Sequence, residues 1–298
     1  MKYLLIVLLL TLASCIDNSK SLPPSTGSFS EILFVVEDLL WSTELENLAS
    51  EIFRKPIEGL SKNESSNSVI QVNHNQFSRI FKTHRNIIII QNTEQERSVR
   101  DKWAQDQIVI QLNAKSEKDI ISKKLIKAKS IFDINELKFI KTSILKKSKK
   151  KEEAYIQSMF GIDVIIPDEY TVVEKSSSFF WASYNPEKKE QIKHFFVFSF
   201  TPESNPTNGQ VVSKVDSIFS KYLLGAKENM FVKIEPLFPV VFEKNFYKGL
   251  WKLENGFMGG PFLIKPYFMD DKIIVSAGII FAPNEKKRSH VKILEAIL

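Results

Sequence analysis

One cysteine constrains this chain more than any other feature. Cys15 is the sole cysteine among 298 residues, so no disulfide can close the fold and its stability must come from packing. The residue also ends a leader: Lys2 precedes an apolar stretch from Leu4 to Leu10, and the small-residue run Leu12-Ala13-Ser14-Cys15 follows. A basic start, a short apolar centre and small residues before a cleavage point form the layout of an export signal. The apolar run is too short to cross the roughly 30 Å of bilayer hydrocarbon, so a membrane-spanning helix is not expected.

Leu12-Ala13-Ser14-Cys15 is similar to the lipobox of bacterial lipoproteins, in which cleavage leaves the cysteine as an acylated N-terminus. Residues 1–14 are therefore expected to be a lipoprotein signal peptide, and Cys15 the lipidation site that ties the protein to a membrane. Several acyl chains anchor stably where one holds only marginally. The Ser/Pro-rich stretch from Asp17 to Ser30 reads as part of a flexible tether over residues 15–30. Ile16 stands where an inner-membrane retention signal would place Asp. The following Asn18-Ser19-Lys20 lacks the acidic cluster of surface-exported lipoproteins. The expected location is the cell envelope, at the periplasmic face of the outer membrane.

The remaining chain, 43% hydrophobic with ten Gly and twelve Pro, suits a globular fold. Its net charge of +6 is local: Lys115 to Lys151 holds thirteen Lys against Glu117, Asp119, Asp133 and Glu136, and the rest is slightly acidic. An exported, tethered protein does not ordinarily meet nucleic acid, so none is expected as a partner. The basic segment reads either as a solvated helix face or as a surface for anionic phospholipid or another acidic envelope component.

Periodicity predicts an α+β protein with two halves, residues 31–150 and 151–298, which either form separate domains or share one continuous sheet. In the first, strand and helix alternate. Ile32 to Val36 reads as a buried strand. Thr43 and Glu46 suggest a capping box ahead of a helix carrying Leu45, Leu48, Ala49, Ile52 and Phe53. Strands follow at Val69–Val72, Ile87–Ile90 and Ile108–Leu112, with a short helix placing Phe77, Ile80 and Phe81 on one side and a polar loop from Gln91 to Arg100. The Lys-rich segment predicts two amphipathic helices, through Ile121 to Phe132 and Leu137 to Ile144. The second half reads as a mainly antiparallel sheet, with strands at Tyr170–Lys175, Phe179–Tyr184, His194–Phe200, Val240–Phe246, Leu250–Leu253, Pro261–Ile264 and Ile273–Phe281. Two helices accompany it, one through Val211 to Tyr222 and one over Lys286–Leu298.

No catalytic motif of high specificity is present: no Walker loop, no His-Glu-x-x-His, no Gly-x-Ser-x-Gly and no Cys-x-x-Cys. His74, His84, His194 and His290 are scattered, none at metal-ligating spacing. Asp270-Asp271 sits where a hairpin turn is expected, and Glu152-Glu153 reads as a charge partner of the neighbouring lysines. The reading assigns no catalytic residue, no metal and no cofactor, and leans away from an enzyme.

Two segments exceed what composition predicts. Trp103, between Asp101-Lys102 and Ala104-Gln105-Asp106-Gln107, could line a pocket mouth or cap a core edge. Leu250 to Phe262 contains a tight-turn signal, Asn255-Gly256, and the pair Gly259-Gly260, which permits close backbone approach. The alternative for this second segment is a bulged hairpin whose Phe257 and Met258 pack back onto the sheet.

These segments carry a resemblance. Arg85-Asn86-Ile87, Trp103-Ala104 with Gln107, Gly249-Leu250-Trp251, Met258-Gly259-Gly260-Pro261-Phe262, Phe281-Ala282-Pro283, Lys287-Arg288 and Leu294-Glu295-Ala296-Ile297 resemble an uncharacterised Bacteroidetes lipoprotein family, domain of unknown function 4837, over nearly the whole mature chain. Leu22-Pro23-Pro24-Ser25-Thr26-Gly27 and Trp41 are similar as well. The resemblance implies an envelope lipoprotein and no reaction. The expected function is a non-enzymatic binding or scaffolding domain, with Arg85, Trp103, Gln107, Trp251, Met258, Gly259 and Gly260 as the candidate ligand or partner surface. The alternatives are a periplasmic small-ligand-binding module and an enzyme built on Asp101, Asp106 and Arg85.

Overall fold

The structure, a computed structural model, describes residues 21–60, 64–202 and 207–298. Cys15, the leader 1–14 and the first residues of the expected tether lie outside the described residues. Contacts divide the chain into two compact units, one holding the described residues up to Leu39 with Ile70–Lys115, the other Leu40–Val69 with Ser116–Leu298.

In chain order the first elements are β1 (Glu31–Val35), α1 (Glu46–Phe53), β2 (Ser68–Val72), α2 (Arg79–Lys82), β3 (Asn86–Gln91), β4 (Arg97–Arg100) and β5 (Ile108–Asn113). The five strands form a sheet ordered β2-β1-β3-β5-β4. Its centre, β1-β3-β5, is parallel, with Ile32 opposite Asn86 and Asn86 opposite Ile108. Central parallel strands are covered on both faces and so carry unbroken apolar runs. That is why Ile32 to Val35 and Ile87 to Ile90 are buried without alternation. On one face Leu33, Val35, Ile87, Ile89 and Val109 pack with Phe77, Phe81 and Trp103.

Four local expectations are corrected here. The helix leading into α1 begins upstream at Asp38 and passes through a π-helical turn at Trp41–Leu45, so Thr43 lies inside it and forms no N-terminal capping box. Ile80 does not share the inward side with Phe77 and Phe81, being 79% exposed. The polar segment before Trp103 contains β4, which pairs antiparallel with β5. An exposed edge strand of Arg-Ser-Val-Arg has no apolar alternation to announce it. Finally, Pro23 and Thr26, within the expected tether, hydrogen-bond to the first unit: Gln105 N donates to Pro23 O at 2.8 Å, and Arg85 N to Thr26 O at 2.8 Å.

The second unit continues with α3 (Lys118–Leu145), α4 (Lys150–Phe160), β6 (Thr171–Lys175), β7 (Phe179–Tyr184), β8 (Ile192–Phe200), α5 (Asn208–Tyr222), β9 (Val232–Ile234), β10 (Val241–Glu243), β11 (Phe246–Leu253), β12 (Gly259–Phe268), β13 (Ile273–Phe281) and α6 (Lys287–Ile297). The Lys-rich segment thus makes one 28-residue helix where two were expected. Ile121, Leu125, Ala128, Phe132 and Glu136 keep a single buried stripe through it, and no Gly or Pro interrupts it. A strand expected across Val240–Phe246 is cut by Lys244-Asn245, both at positive φ, which turn β10 into β11.

These strands form an eight-stranded sheet in which β10-β11-β12-β13-β8-β7-β6 run in order and β9 pairs with β11. One face packs on α4 and α6 through Ile156, Phe160, Phe180, Phe195, Leu263 and Leu294. The other packs on α5 through Phe196, Phe198, Val211, Val215, Phe219 and Phe262. The fold is α+β. The start of α6 is fixed electrostatically: the Glu64 carboxylate accepts from Lys287 N and Arg288 N, both at 2.9 Å, as an anion at a helix N-terminus. Arg288 then grips buried Glu136 of α3 with two bonds of 2.7 Å. Among the described residues no helix is long and apolar enough to cross a membrane.

Candidate functional site

The α5 face of the antiparallel sheet is only partly covered. The helix stops at Tyr222, and the chain then makes a tight loop, Leu224 bridging to Phe231 and Gly225 N donating to Met230 O at 2.8 Å. A Cβ on Gly225 would lie 2.5 Å from Met230 Cβ, so the loop closes only with glycine there. The tip of the β11–β12 hairpin is tied to this loop by Glu254 N donating to Phe231 O at 2.8 Å and Asn255 Nδ2 donating to Asn229 O at 3.0 Å. Loop and tip stand over the end of the sheet face that α5 leaves bare.

A cavity of about 650 Å³ results. Trp181, His194, Ile279 and Phe281 form its sheet side, with Trp251 and Leu253 beside them; Tyr222, Met230 and Met258 come from the helix end, loop and hairpin. Its size falls within the roughly 300–1,000 Å³ of small-molecule pockets. Among the described residues no Asp or Glu lines it, and Lys227 is its one formal charge. Phe257 at the hairpin tip also lines the cavity and is 108% exposed, contrary to the expectation that it folds back onto the sheet. Met258, its neighbour, does pack against the core.

His194 is the cavity's polar fixture. Trp181 Nε1–H donates to His194 Nδ1 at 3.2 Å, and an indole N–H can only donate. Nδ1 is therefore the acceptor, and the proton of the neutral ring sits on Nε2. Burial pushes the imidazole from its ordinary 6.5 down to about 4, so it is neutral at neutral pH. The site thus offers aromatic and thioether surface together with the uncharged His194 ring and the amides of Asn185 and Asn255.

Trp251 and Gly260 belong together. They face each other across β11 and β12, and the Trp251 indole reaches over Gly260 to donate to Ile280 O on β13 at 3.1 Å. A Cβ on Gly260 would stand 2.0 Å from that same oxygen. This is the close backbone approach the glycine pair suggested, made by the neighbouring strand β13. Gly259 and Gly260 also border a second, more polar depression of about 760 Å³ with Trp251, Glu285 and Lys287.

Arg85, Trp103 and Gln107 lie in the first unit. Buried Gln107 is a backbone staple: Nε2 donates to Lys82 O and His84 O at 2.6 Å each, and Oε1 accepts from Trp103 N at 2.9 Å. Trp103 meets Phe77 edge-on at 5.6 Å and carries Lys102 Nζ 4.1 Å above its ring. The Arg85 guanidinium stacks 4.2 Å over Phe29, and burial lowers its pKa against the pull of Asp106. Asp101 and Asp106 occupy positive-φ turn positions, and Asp101 Oδ1 accepts from Gln107 N at 3.2 Å.

Sequence reasoning passed over Trp181, His194, Tyr222 and Met230. Trp181 and His194 are within their strands' apolar alternation, which offers a signal in retrospect: a Trp and a His on the inward face of neighbouring strands. Bringing them together needs the β7–β8 register, Ser183 opposite His194, which the hydrophobic pattern and the turn decide together. Among the described residues no three His, Cys, Asp or Glu side chains gather as a metal-holding group.

The comparisons with known proteins divide the chain at a different point from the two units, placing α1 and α3 with the parallel sheet. Residues 148–298 match the family described as Domain of unknown function (DUF4837), and residues 25–148 a second, Domain of unknown function (DUF8532). The resemblance read over nearly the whole chain therefore splits between two families, which meet between α3 and α4. No curated protein matches the chain.

Proposed function

Because the chain belongs to the DUF4837 family, a grouping that carries no reaction with it, we propose its function from its cavity: the protein is a non-enzymatic binding module of the cell envelope that holds a small, largely apolar ligand in its antiparallel unit. The single observation that carries this reading is the 650 Å³ cavity between the sheet, the loop after α5 and the β11–β12 tip. A few polar groups in an apolar concavity fix a ligand's orientation, and the His194 donor and Lys227 supply them here. Acid–base or nucleophilic chemistry has little to work with, because among the described residues the lining holds no carboxylate and no thiol, and burial makes its imidazole a weak base.

Location is the second part of the proposal. The leader and Leu-Ala-Ser-Cys motif support acylation at Cys15 and residence at the periplasmic face of the outer membrane, so that the binding unit works beside a bilayer. Cys15→Ala is expected to release the protein from the membrane fraction.

Native mass spectrometry of the chain isolated from its own envelope tests the binding reading. A small molecule retained beyond the mass of the protein and its acyl groups is expected, and replacing Ile192, which also lines the cavity, by Trp (Ile192→Trp) should exclude it without lowering the melting temperature by more than a few degrees. A parent protein that carries nothing, and that apolar compounds do not stabilise, would defeat the reading.

A further inference from the structure

The 28-residue helix α3 carries two apolar stripes where its role in the core requires one. At about 100° per residue, buried Ile121, Leu125, Ala128, Phe132 and Glu136 occupy an arc of about 80°. Ile120, Ile126, Ile134 and Leu145 lie within an arc of about 120° whose centre is diametrically opposite. These four are exposed, Ile126 at 56% and Ile134 at 63%. Lys123, Lys127, Lys138 and Lys141 share the same outward arc, all exposed, and none of them forms an ion pair among the described residues. Asp119 in the first turn is the one acid on this arc; Asp133, at its flank, is paired with Lys129 at 3.0 Å.

A solvated basic face accounts for the lysines but not for isoleucines interleaved with them over a rod about 42 Å long. Water offers those side chains nothing, whereas the boundary between headgroups and acyl chains takes both: isoleucine enters the apolar edge, and lysine stems bend back to the phosphates. We propose that the outward face of α3 lies along the surface of an anionic phospholipid bilayer, an attachment separate from acylation of Cys15 and independent of the cavity. The occupant is fixed by charge complementarity, with four unpaired lysines against one acid along a helix whose apolar residues are spaced for shallow burial.

The test exploits the single cysteine. In the full chain with Cys15→Ser, Ile134→Cys labelled with an environment-sensitive fluorophore is expected to shift to the blue with phosphatidylglycerol vesicles and not with phosphatidylcholine vesicles. Glu187→Cys, in the β7–β8 turn, is expected to stay unshifted with both, which separates docking of α3 from binding through the leader. Replacing Lys123, Lys127, Lys138 and Lys141 with Gln should weaken the association about fivefold per lysine at low salt. No shift at position 134, an equal shift at position 187, or binding indifferent to the four lysines would each overturn the proposal.

Discussion

The two units use their polar side chains in opposite ways. In the parallel unit two buried amides donate to backbone: Gln107 to Lys82 O and His84 O, and Asn86 to Phe29 O and Glu31 O. In the antiparallel unit the cavity at the bare end of the sheet is lined by His194, whose Nδ1 accepts from the Trp181 indole and whose ring lies against Phe196. The difference follows from covering. Central parallel strands are enclosed on both faces, and most enclosed polar groups are then matched internally. A sheet face that its helix only half covers leaves room for a ligand to complete the matching. A polar residue in a suggestive motif is thus a site only where the fold leaves it something to bind.

Breaking internal matches should cost most where charge is involved. Arg288→Ala strands buried Glu136, 4% exposed, and should destabilise the antiparallel unit by about 3–5 kcal/mol in urea unfolding. A melt near that of the parent would mean the pair is not enclosed as described. The next effect depends on pH. Burial holds His194 at about 4 in the folded protein against 6.5 in the open chain. The unfolded chain takes up the proton first, so stability is present above 6.5 and is lost as pH falls towards 4, by up to about 3 kcal/mol. His194→Gln should flatten part of that slope, the remainder coming from His84 and His290, which burial also holds down.

In the parallel unit Gln107→Leu leaves two carbonyls and one amide without their partner and should cost about 1–3 kcal/mol, followed through Trp103 emission. If Gln107→Leu were silent for folding but abolished binding of a partner, the contrast between the units would fail. The smallest stability effect belongs to Phe257→Ser, within about 0.5 kcal/mol for a fully exposed side chain, although ligand retention should weaken. Loss of stability with unchanged retention would place Phe257 in the fold and not at the mouth.

Much of this architecture was legible from periodicity because its signals are local. Ile32 to Val35 and Ile87 to Ile90 read as enclosed strands, and the alternation from Phe179 to Phe200 as antiparallel ones. The errors share a cause, that the deciding interaction lay elsewhere in the chain. Edge strand β4 exists through its ladder with β5, and α3 runs unbroken because a core stripe and the Glu136–Arg288 pair hold it over its length. The site was the least legible part. Trp251 and Met258 were singled out from turn chemistry, but their neighbours in the cavity, Trp181, His194 and Met230, come from elements whose meeting depends on strand register and on where α5 stops.

The central claim, that the antiparallel unit is the binding module, is tested most directly by the indole N–H resonances in ¹⁵N-labelled protein titrated with the molecule recovered from the envelope-isolated chain. Trp181 and Trp251 line the cavity and Trp103 belongs to the other unit. The account predicts saturable shifts of the Trp181 and Trp251 signals with Trp103 unmoved. A titration that moves Trp103 while leaving both cavity tryptophans in place would contradict it.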